Sequence, residues 1–196
     1  MSRIESDTRQ RILTEALRLL VENRGKNVRM SDIAKAAGVS RQAIYLHFKS
    51  QAELMVSTVQ FGDEIQGAAE MVAPWRQARG ADKLDAWIEF WGNYVPKIFG
   101  VAKALLLARE TDDAAAAAWD DRMDDVRKSC RKTIQEVASK GLLAEEWPPK
   151  PASEMLWTML SIPTWEQLTV TCGWSKKQYI ERMQTQARQT FLRPKS

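Results

Sequence analysis

The sequence predicts an all-α protein of about nine helices, and three observations carry that prediction. Apolar residues recur at helical spacing almost throughout, without the strict alternation that a half-buried strand needs. Ser50-Gln51-Ala52-Glu53 and Ser175-Lys176-Lys177-Gln178 have capping-box form, in which a serine and an acid or amide three residues on satisfy the free N–H groups of a new helix. Glycines and prolines fall largely between the periodic segments, where they punctuate helices.

Taken in order, Ile12, Leu13, Ala16, Leu17 and Leu20 form one face of a first helix, which Gly25 is placed to end. Met30 to Leu54 reads as short helical pieces broken at Gly38-Val39 and near Lys49-Ser50. Such pieces cannot stand alone, because helix nucleation is costly. From Ser50 a helix is expected to about Met71, with Pro74 and Gly80 breaking the chain. Ala81 to about Lys97 follows, with Leu84, Trp87, Ile88, Trp91 and Val95 in phase and Pro96 expected to kink or end it. Ile98 to Arg109 is short and apolar. Asp112 to Lys140 is long, with Trp119, Met123, Val126, Cys130, Ile134 and Val137 on one face and Gly141 as its stop. Its run of five alanines reads as helix rather than linker, alanine being the best helix former. Residues 146–151, rich in proline, read as an extended connector. Residues 152–172 form a helix that is apolar nearly all round, with Pro163 inside. A last helix starts at Ser175 and fades after Phe191, leaving a frayed tail.

Composition narrows the function. The chain is 196 residues long, 44% hydrophobic and 28% charged, which is a globular rather than a disordered balance. No apolar run is long enough to span a membrane, and the N-terminus lacks the apolar core of a secretory signal. Cys130 and Cys172 are isolated, so they read as inert thiols in a reducing, cytoplasmic setting. The single histidine excludes a multi-histidine metal site, and no Gly-rich phosphate loop or nucleophile elbow is present. An enzyme, a metal and a cofactor are therefore not expected. Charge is unevenly placed: residues 1–50 carry ten Lys and Arg against five Asp and Glu, and the remainder nineteen against twenty. All eight tryptophans lie between Trp75 and Trp174. This divides the chain into a basic module at 1–50 and a larger aromatic domain at 51–196.

The basic module holds a recognisable motif. Ile33, Ala34 and Ala37 sit on one helix, Ile44 and Phe48 on the next, with Gly38 and Val39 between. Ala34 is small where the helices cross, Gly38 can take positive φ, and Val39, Ile44 and Ile33 close a miniature core against Leu17 and Leu20. This is a helix-turn-helix pattern whose second helix starts at the N-cap residue Ser40. Its exposed positions are Arg41, Gln42, Ala43, Tyr45 and His47. Arg41 suits a guanine edge or a phosphate, Gln42 an adenine, and Ala43 a thymine methyl. Tyr45, His47 and Lys49 suit phosphates, and Arg29, Ser31 and Ser40 join them as DNA-facing positions. Lys26 and Lys35 add charge.

The segment from Gly25 to Leu54 resembles the DNA-binding segment of the TetR family of bacterial repressors. Ile33-Ala34, Ala37-Gly38-Val39-Ser40, Ile44-Tyr45 and His47-Phe48 carry the resemblance, which extends over residues 10–56. The family usually has a lysine at the start of the next helix, at a phosphate; here that place is Gln51, with Lys49 as the expected substitute. The resemblance implies a ligand-responsive regulator, a repressor in most cases, that binds a palindromic double-stranded DNA operator as a homodimer and whose C-terminal domain holds a small effector. The last two helices, about 152–172 and 175–192, are the expected dimer interface, through Met155, Leu156, Met159, Leu160, Ile162, Tyr179, Ile180, Met183 and Phe191. Trp87, Trp91, Tyr94, Trp119, Met123, Trp157 and Trp165, with Phe99, are expected to wall an apolar cavity for a flat or greasy effector, with Arg109, Glu110, Asn93 or Gln167 as anchors. The alternative is a DNA-binding scaffold of the same fold that acts through protein partners without an effector.

Overall fold

The structure, a computed structural model, describes residues 3–26, 28–65 and 67–194, with side chains from Ser6 onward. Eleven α-helices run along it: α1 (Arg3–Glu22), α2 (Met30–Ala37), α3 (Arg41–His47), α4 (Gln51–Ile65), α5 (Ala68–Met71), α6 (Ala73–Gln77), α7 (Ala81–Ala108), α8 (Asp113–Ser139), α9 (Pro149–Met159), α10 (Ile162–Glu166) and α11 (Lys176–Phe191). Among the described residues the only extended pairing is an isolated antiparallel bridge between Leu143 and Leu192. No described helix is long and apolar enough to cross a membrane.

The residues pack as two compact units along lines other than a cut at residue 50. One unit takes the chain to Gly67 together with Lys97–Asp121; the other takes Ala68–Pro96 and the chain from Arg122. Both long helices, α7 and α8, contribute to both units.

In the first unit the core is Ile12, Leu13 and Ala16 of α1, Met30, Ile33, Ala34 and Ala37 of α2, Ile44 of α3, Phe48 and Leu54, with Val28, Val39 and Phe61 packed against it. Leu17 and Leu20 are buried but stand outside this cluster, contrary to the sequence reading. The backbone of Leu20 is engaged elsewhere. A Cβ built on Gly100 of α7 would strike the Leu20 carbonyl oxygen, and one on Gly25, at φ +72°, would strike the Gly100 carbonyl and lie 2.9 Å from the Ala104 nitrogen. The end of α1 and the last turns of α7 therefore meet backbone to backbone, which only glycine permits.

In the second unit α7 and α11 cross closely at Gly92, whose absent Cβ would meet Ile180 and, at 3.3 Å, Tyr179. Arg188 clamps the pair, its Nε at 2.8 and 2.9 Å from the two Asp85 carboxylate oxygens and its Nη2 also bonded to that carboxylate. Hydrogen bonding to Asp85 raises the guanidinium pKa further. The Trp75 indole donates to Thr133 Oγ1 at 2.9 Å, and the buried Lys83 amine donates to the Trp75 carbonyl at 2.5 Å while lying 4.5 Å from its ring. Burial, followed by repulsion from Arg79, lowers the Lys83 pKa.

Several helix limits differ from the sequence reading. The helix from Gln51 stops at Ile65, and Gly67 at φ +63° separates it from α5. Pro74 does not break the chain but lies in the first turn of α6, where its missing N–H costs nothing. Pro96 neither ends nor divides α7: Val95, Ile98, Phe99, Val101 and Ala102 are all buried, and that packing outweighs one lost hydrogen bond. Pro149 and Pro151 belong to the first turn of α9 rather than to a connector. The long helix expected at 152–172 ends at Met159, because Ser161 caps a new helix with Pro163 in its first turn, and a π-helical turn follows at Gln167–Thr171. The tail is anchored through Arg193, whose N–H donates to the Leu142 carbonyl at 3.0 Å and whose Nε donates to Leu143 at 3.1 Å; Lys195 and Ser196 lie outside the described residues.

Two outcomes follow. Gly100→Ala sets a methyl group against the Leu20 carbonyl and is expected to lower stability by about 2–3 kcal/mol in urea titration, or to prevent folding. Cys130 is fully buried, and burial pushes its thiol up to about 12, whereas Cys172 is exposed. Only thiolate reacts, so a thiol reagent at pH 8 should label one cysteine per native chain and two after unfolding.

Candidate nucleic-acid interface

The site is built from two short helices and the turn between them. Asp32 accepts a hydrogen bond from the Arg29 N–H at 2.9 Å and fixes the start of α2. Gly38 ends α2 in the left-handed region at φ +66°, and the Val39 N–H reaches back to the Ala34 carbonyl at 3.0 Å. The chain then extends through Ser40, whose hydroxyl accepts from the Ala43 N–H at 3.0 Å and so starts α3. After seven residues α3 stops at Phe48, which returns to extended backbone. Ser50 caps α4 by accepting from the Glu53 N–H at 3.1 Å. The reciprocal bond differs from the expected box: the Glu53 carboxylate takes the N–H of Lys49, at 2.7 Å, rather than that of Ser50.

Ile44 and Phe48 have no exposed surface, and they set the rotation of α3 about its axis. The Arg9 guanidinium lies 5.1 Å from the Phe48 ring centre and donates to Ser57 Oγ at 3.2 Å, closing the other side of that ring. With the inner face fixed, Arg41, Gln42 and Tyr45 are exposed and Ala43 and His47 half-buried. Arg29, Ser31, Ser40 and Lys49 are exposed beside them. Arg41 leans over the Tyr45 ring at 5.8 Å. Among the described residues no ion pair holds Arg29, Lys35, Arg41 or Lys49. Arg18, by contrast, is held by Glu15 at 2.8 Å and Glu22 at 2.7 Å. The face therefore offers unneutralised cations around a projecting helix, the electrostatic form of a phosphate-binding surface.

Sequence reasoning missed Leu46. It is 82% exposed, more than any other large hydrophobic residue among the described residues, and it sits on α3 between Tyr45 and His47. The signal was available: Ile44 and Phe48 point inward, so the residue between them points out.

The expected effector wall is not assembled as one surface. Trp87, Trp91 and Tyr94 form a row on α7, with Trp87–Trp91 and Trp91–Tyr94 ring centres 6.3 Å apart. Trp75 and Phe90, not singled out from the sequence, complete the row: Trp75 lies 5.0 Å from Trp87, and Phe90 stacks on Tyr94 at 5.2 Å. Trp119 and Phe99 belong to the other unit, where the Arg109 guanidinium lies 6.0 Å from the Trp119 ring. Trp157 pairs with Arg127 at 4.2 Å and lines a groove of ≈690 Å³ with Arg131, Lys150 and Glu154. Trp165 is buried on α10 and Met123 half-buried on α8. Of the suggested anchors, Arg109 pairs with Glu110 at 3.6 Å, Asn93 bonds its own helix at Glu89, and Gln167 is exposed. The Trp87 and Trp91 indole nitrogens and the Tyr179 hydroxyl are buried, with Trp87 beside the Cys130 thiol and Trp91 beside the Tyr179 hydroxyl.

The suggested dimer face is narrower than the sequence reading has it. Leu156, Leu160, Ile162, Tyr179, Met183 and Phe191 are buried within the chain, because they close the second unit's own core. Met155, at 42% exposed, and Val170, at 39%, remain at the surface, with Met159 and Ile180 half-buried.

Comparison with known proteins matches residues 12–58 to the family described as bacterial regulatory proteins, tetR family. Over 65 residues the chain is 40% identical to the HTH-type transcriptional regulator AcrR of Shigella flexneri, a match spanning 33% of this chain and 30% of that protein. Similar solved structures cover nearly the whole chain. A putative transcriptional regulator from Saccharomonospora viridis in complex with choline is 19% identical, with 96% of this chain and 100% of that one covered and a TM-score of 0.79. FadR from Bacillus subtilis in complex with stearoyl-CoA is 18% identical, with 90% and 96% covered and a TM-score of 0.70. NalD of Pseudomonas aeruginosa, the secondary repressor of an efflux pump, is 17% identical, with 99% and 100% covered and a TM-score of 0.67.

The N-cap has a measurable role. Ser40→Ala removes the acceptor for the Ala43 N–H and is expected to lower thermal stability by about 1 kcal/mol, read by calorimetry.

Proposed function

From its membership of the TetR family of bacterial regulatory proteins, a family of DNA-binding transcription regulators, we propose that this chain is a ligand-responsive repressor that binds a palindromic operator as a homodimer. One observation supports this above the others: α3 buries Ile44 and Phe48 completely while leaving Arg41 and Gln42 free at the surface. In this reading residues 1–50 read DNA and 51–196 bind the effector and the partner copy, in the cytoplasm and without catalysis. Arg41 and Gln42 contact base edges, Ala43 approaches a thymine methyl, and Arg29, Ser31, Ser40, Tyr45, His47 and Lys49 hold phosphates.

A seven-residue reading helix spans few base pairs, so two copies on half-sites about 34–36 Å apart supply specificity. The proposed interface lies on α9, the π-helical turn after α10, and α11, around Met155, Met159, Val170 and Ile180. The effector is proposed to occupy the aromatic part of the second unit, around Trp87, Trp91 and Tyr94, with Met123, Trp157 and Trp165 of the same unit as further wall candidates. One observation favours an effector: similar structures hold choline and stearoyl-CoA. The ligand acts by preferring a dimer whose reading helices no longer match the half-site spacing, with α4 as the lever. A full reversal of occupancy needs about 5.5 kcal/mol of differential binding. The self-packed aromatic row favours the second reading, a DNA-binding scaffold that works through protein partners.

Selection of bound sequences from a random duplex pool tests the proposal, and a palindromic winner is expected. On that winner Tyr45→Ala should weaken binding to all sequences alike. Gln42→Ala should relax preference at one base pair per half-site by about 1–3 kcal/mol. A uniform loss for both variants would show that Gln42 reads no base.

A further inference from the structure

Leu46 has no role in the contacts described so far, and its position demands one. At 3.6 residues per turn, each step along α3 rotates by about 100°. Ile44 and Phe48, the buried pair, lie about 40° apart, and Leu46 falls about 180° from their mean direction. Gln42 is four residues earlier on the same side. Leu46 is thus the outermost side chain of the helix, with 82% of its surface in water. An apolar side chain at the apex of a basic face gains nothing in the free protein.

We infer that Leu46 is a specificity-determining residue that reads the C5-methyl group of a thymine beside the base pair read by Gln42. This rests on the DNA-reading function proposed above and goes beyond it by naming the group recognised. The surroundings select duplex DNA as the occupant: Arg29, Lys35, Arg41 and Lys49 are exposed and have no ion pair among the described residues. A helix lying in the major groove carries its outermost side chain deepest, against the base edges. The thymine methyl is the largest apolar group displayed there, the other edge positions being donors, acceptors or the small cytosine C5–H. Leucine cannot hydrogen-bond, so at a guanine, cytosine or adenine edge it would desolvate polar atoms without replacing their water. The methyl contact alone converts its exposed surface into binding.

The test removes the methyl without changing base pairing. In the duplex selected by the wild-type chain, each thymine is replaced in turn by uracil, and affinity is measured for the wild type and for Leu46→Ala. The wild type should lose about three- to fivefold at the thymine that Leu46 contacts in each half-site, as burial of one methyl group implies, a position separate from any thymine met by Ala43. Leu46→Ala should bind the thymine duplex more weakly and be indifferent to uracil at that same position. Because Leu46 lies almost wholly in water and alanine favours helix, the variant should melt like the wild type. Equal uracil effects in both chains at every thymine, or none in either, would overturn the inference while leaving DNA reading intact. A pool that yields no enriched sequence would overturn both.

Discussion

The seating of α3 by Ile44 and Phe48 is the constraint on which the rest of the molecule depends. Seven residues cannot hold a helix in water, since forming the first turn costs more than two turns return. The Ser40 cap and two fully buried side chains on a core shared by α1, α2 and α4 supply what propensity cannot. Because the inner face is fixed by those two residues, the outer face follows without further choice: Gln42 and Leu46 in line, with Arg41 and Tyr45 beside them. Arg9, over Phe48 and bonded to Ser57, ties the same ring to α4. A change that loosens Phe48 therefore misdirects residues it never touches.

The same economy of contact recurs at the helix crossings. Gly25 and Gly100 let the end of α1 and the last turns of α7 meet without side chains between them, and Gly92 does so for α7 and α11. Contacts of this kind have little slack, because backbone cannot rotate out of the way as a side chain can. A displacement of either helix must be followed by its neighbour, which is the property a regulator needs if a bound ligand is to alter how reading helices are presented. The Asp85–Arg188 clamp, with Gln184 donating to the Asp85 carbonyl at 3.1 Å, adds a polar lock to the second of these crossings.

Much of the reading head was legible in the residues themselves. Glycine at 38, serine at 40 and the spacing of Ile33, Ala34, Ile44 and Phe48 specify local geometry, and short-range rules act there with little interference. Legibility failed where packing competes with local preference. Pro96 carries the local signal to kink or end a helix, but buried neighbours on both sides carry α7 through it. Apolar periodicity runs on through Pro163, yet Ser161 just before it offers a better helix start than the preceding helix offers a continuation. Leu46 escaped notice because leucine reads as core by type, although its phase on α3 puts it outside. The tryptophans at 87, 119, 157 and 165 share a composition, not a place: periodicity shows which face of its own helix each occupies, and nothing in it shows which faces meet.

On the reading proposed for α3, the helix lies along base edges and two copies do so together. A chelated iron tethered at Ala36→Cys, an exposed position on α2, tests it directly in a chain whose exposed Cys172 is replaced by serine. On the duplex chosen by the unmodified protein, hydroxyl-radical cleavage should fall in two zones related by symmetry, with centres about 34–36 Å apart along the helix axis. A single zone, or cleavage spread evenly along the duplex, would contradict the account.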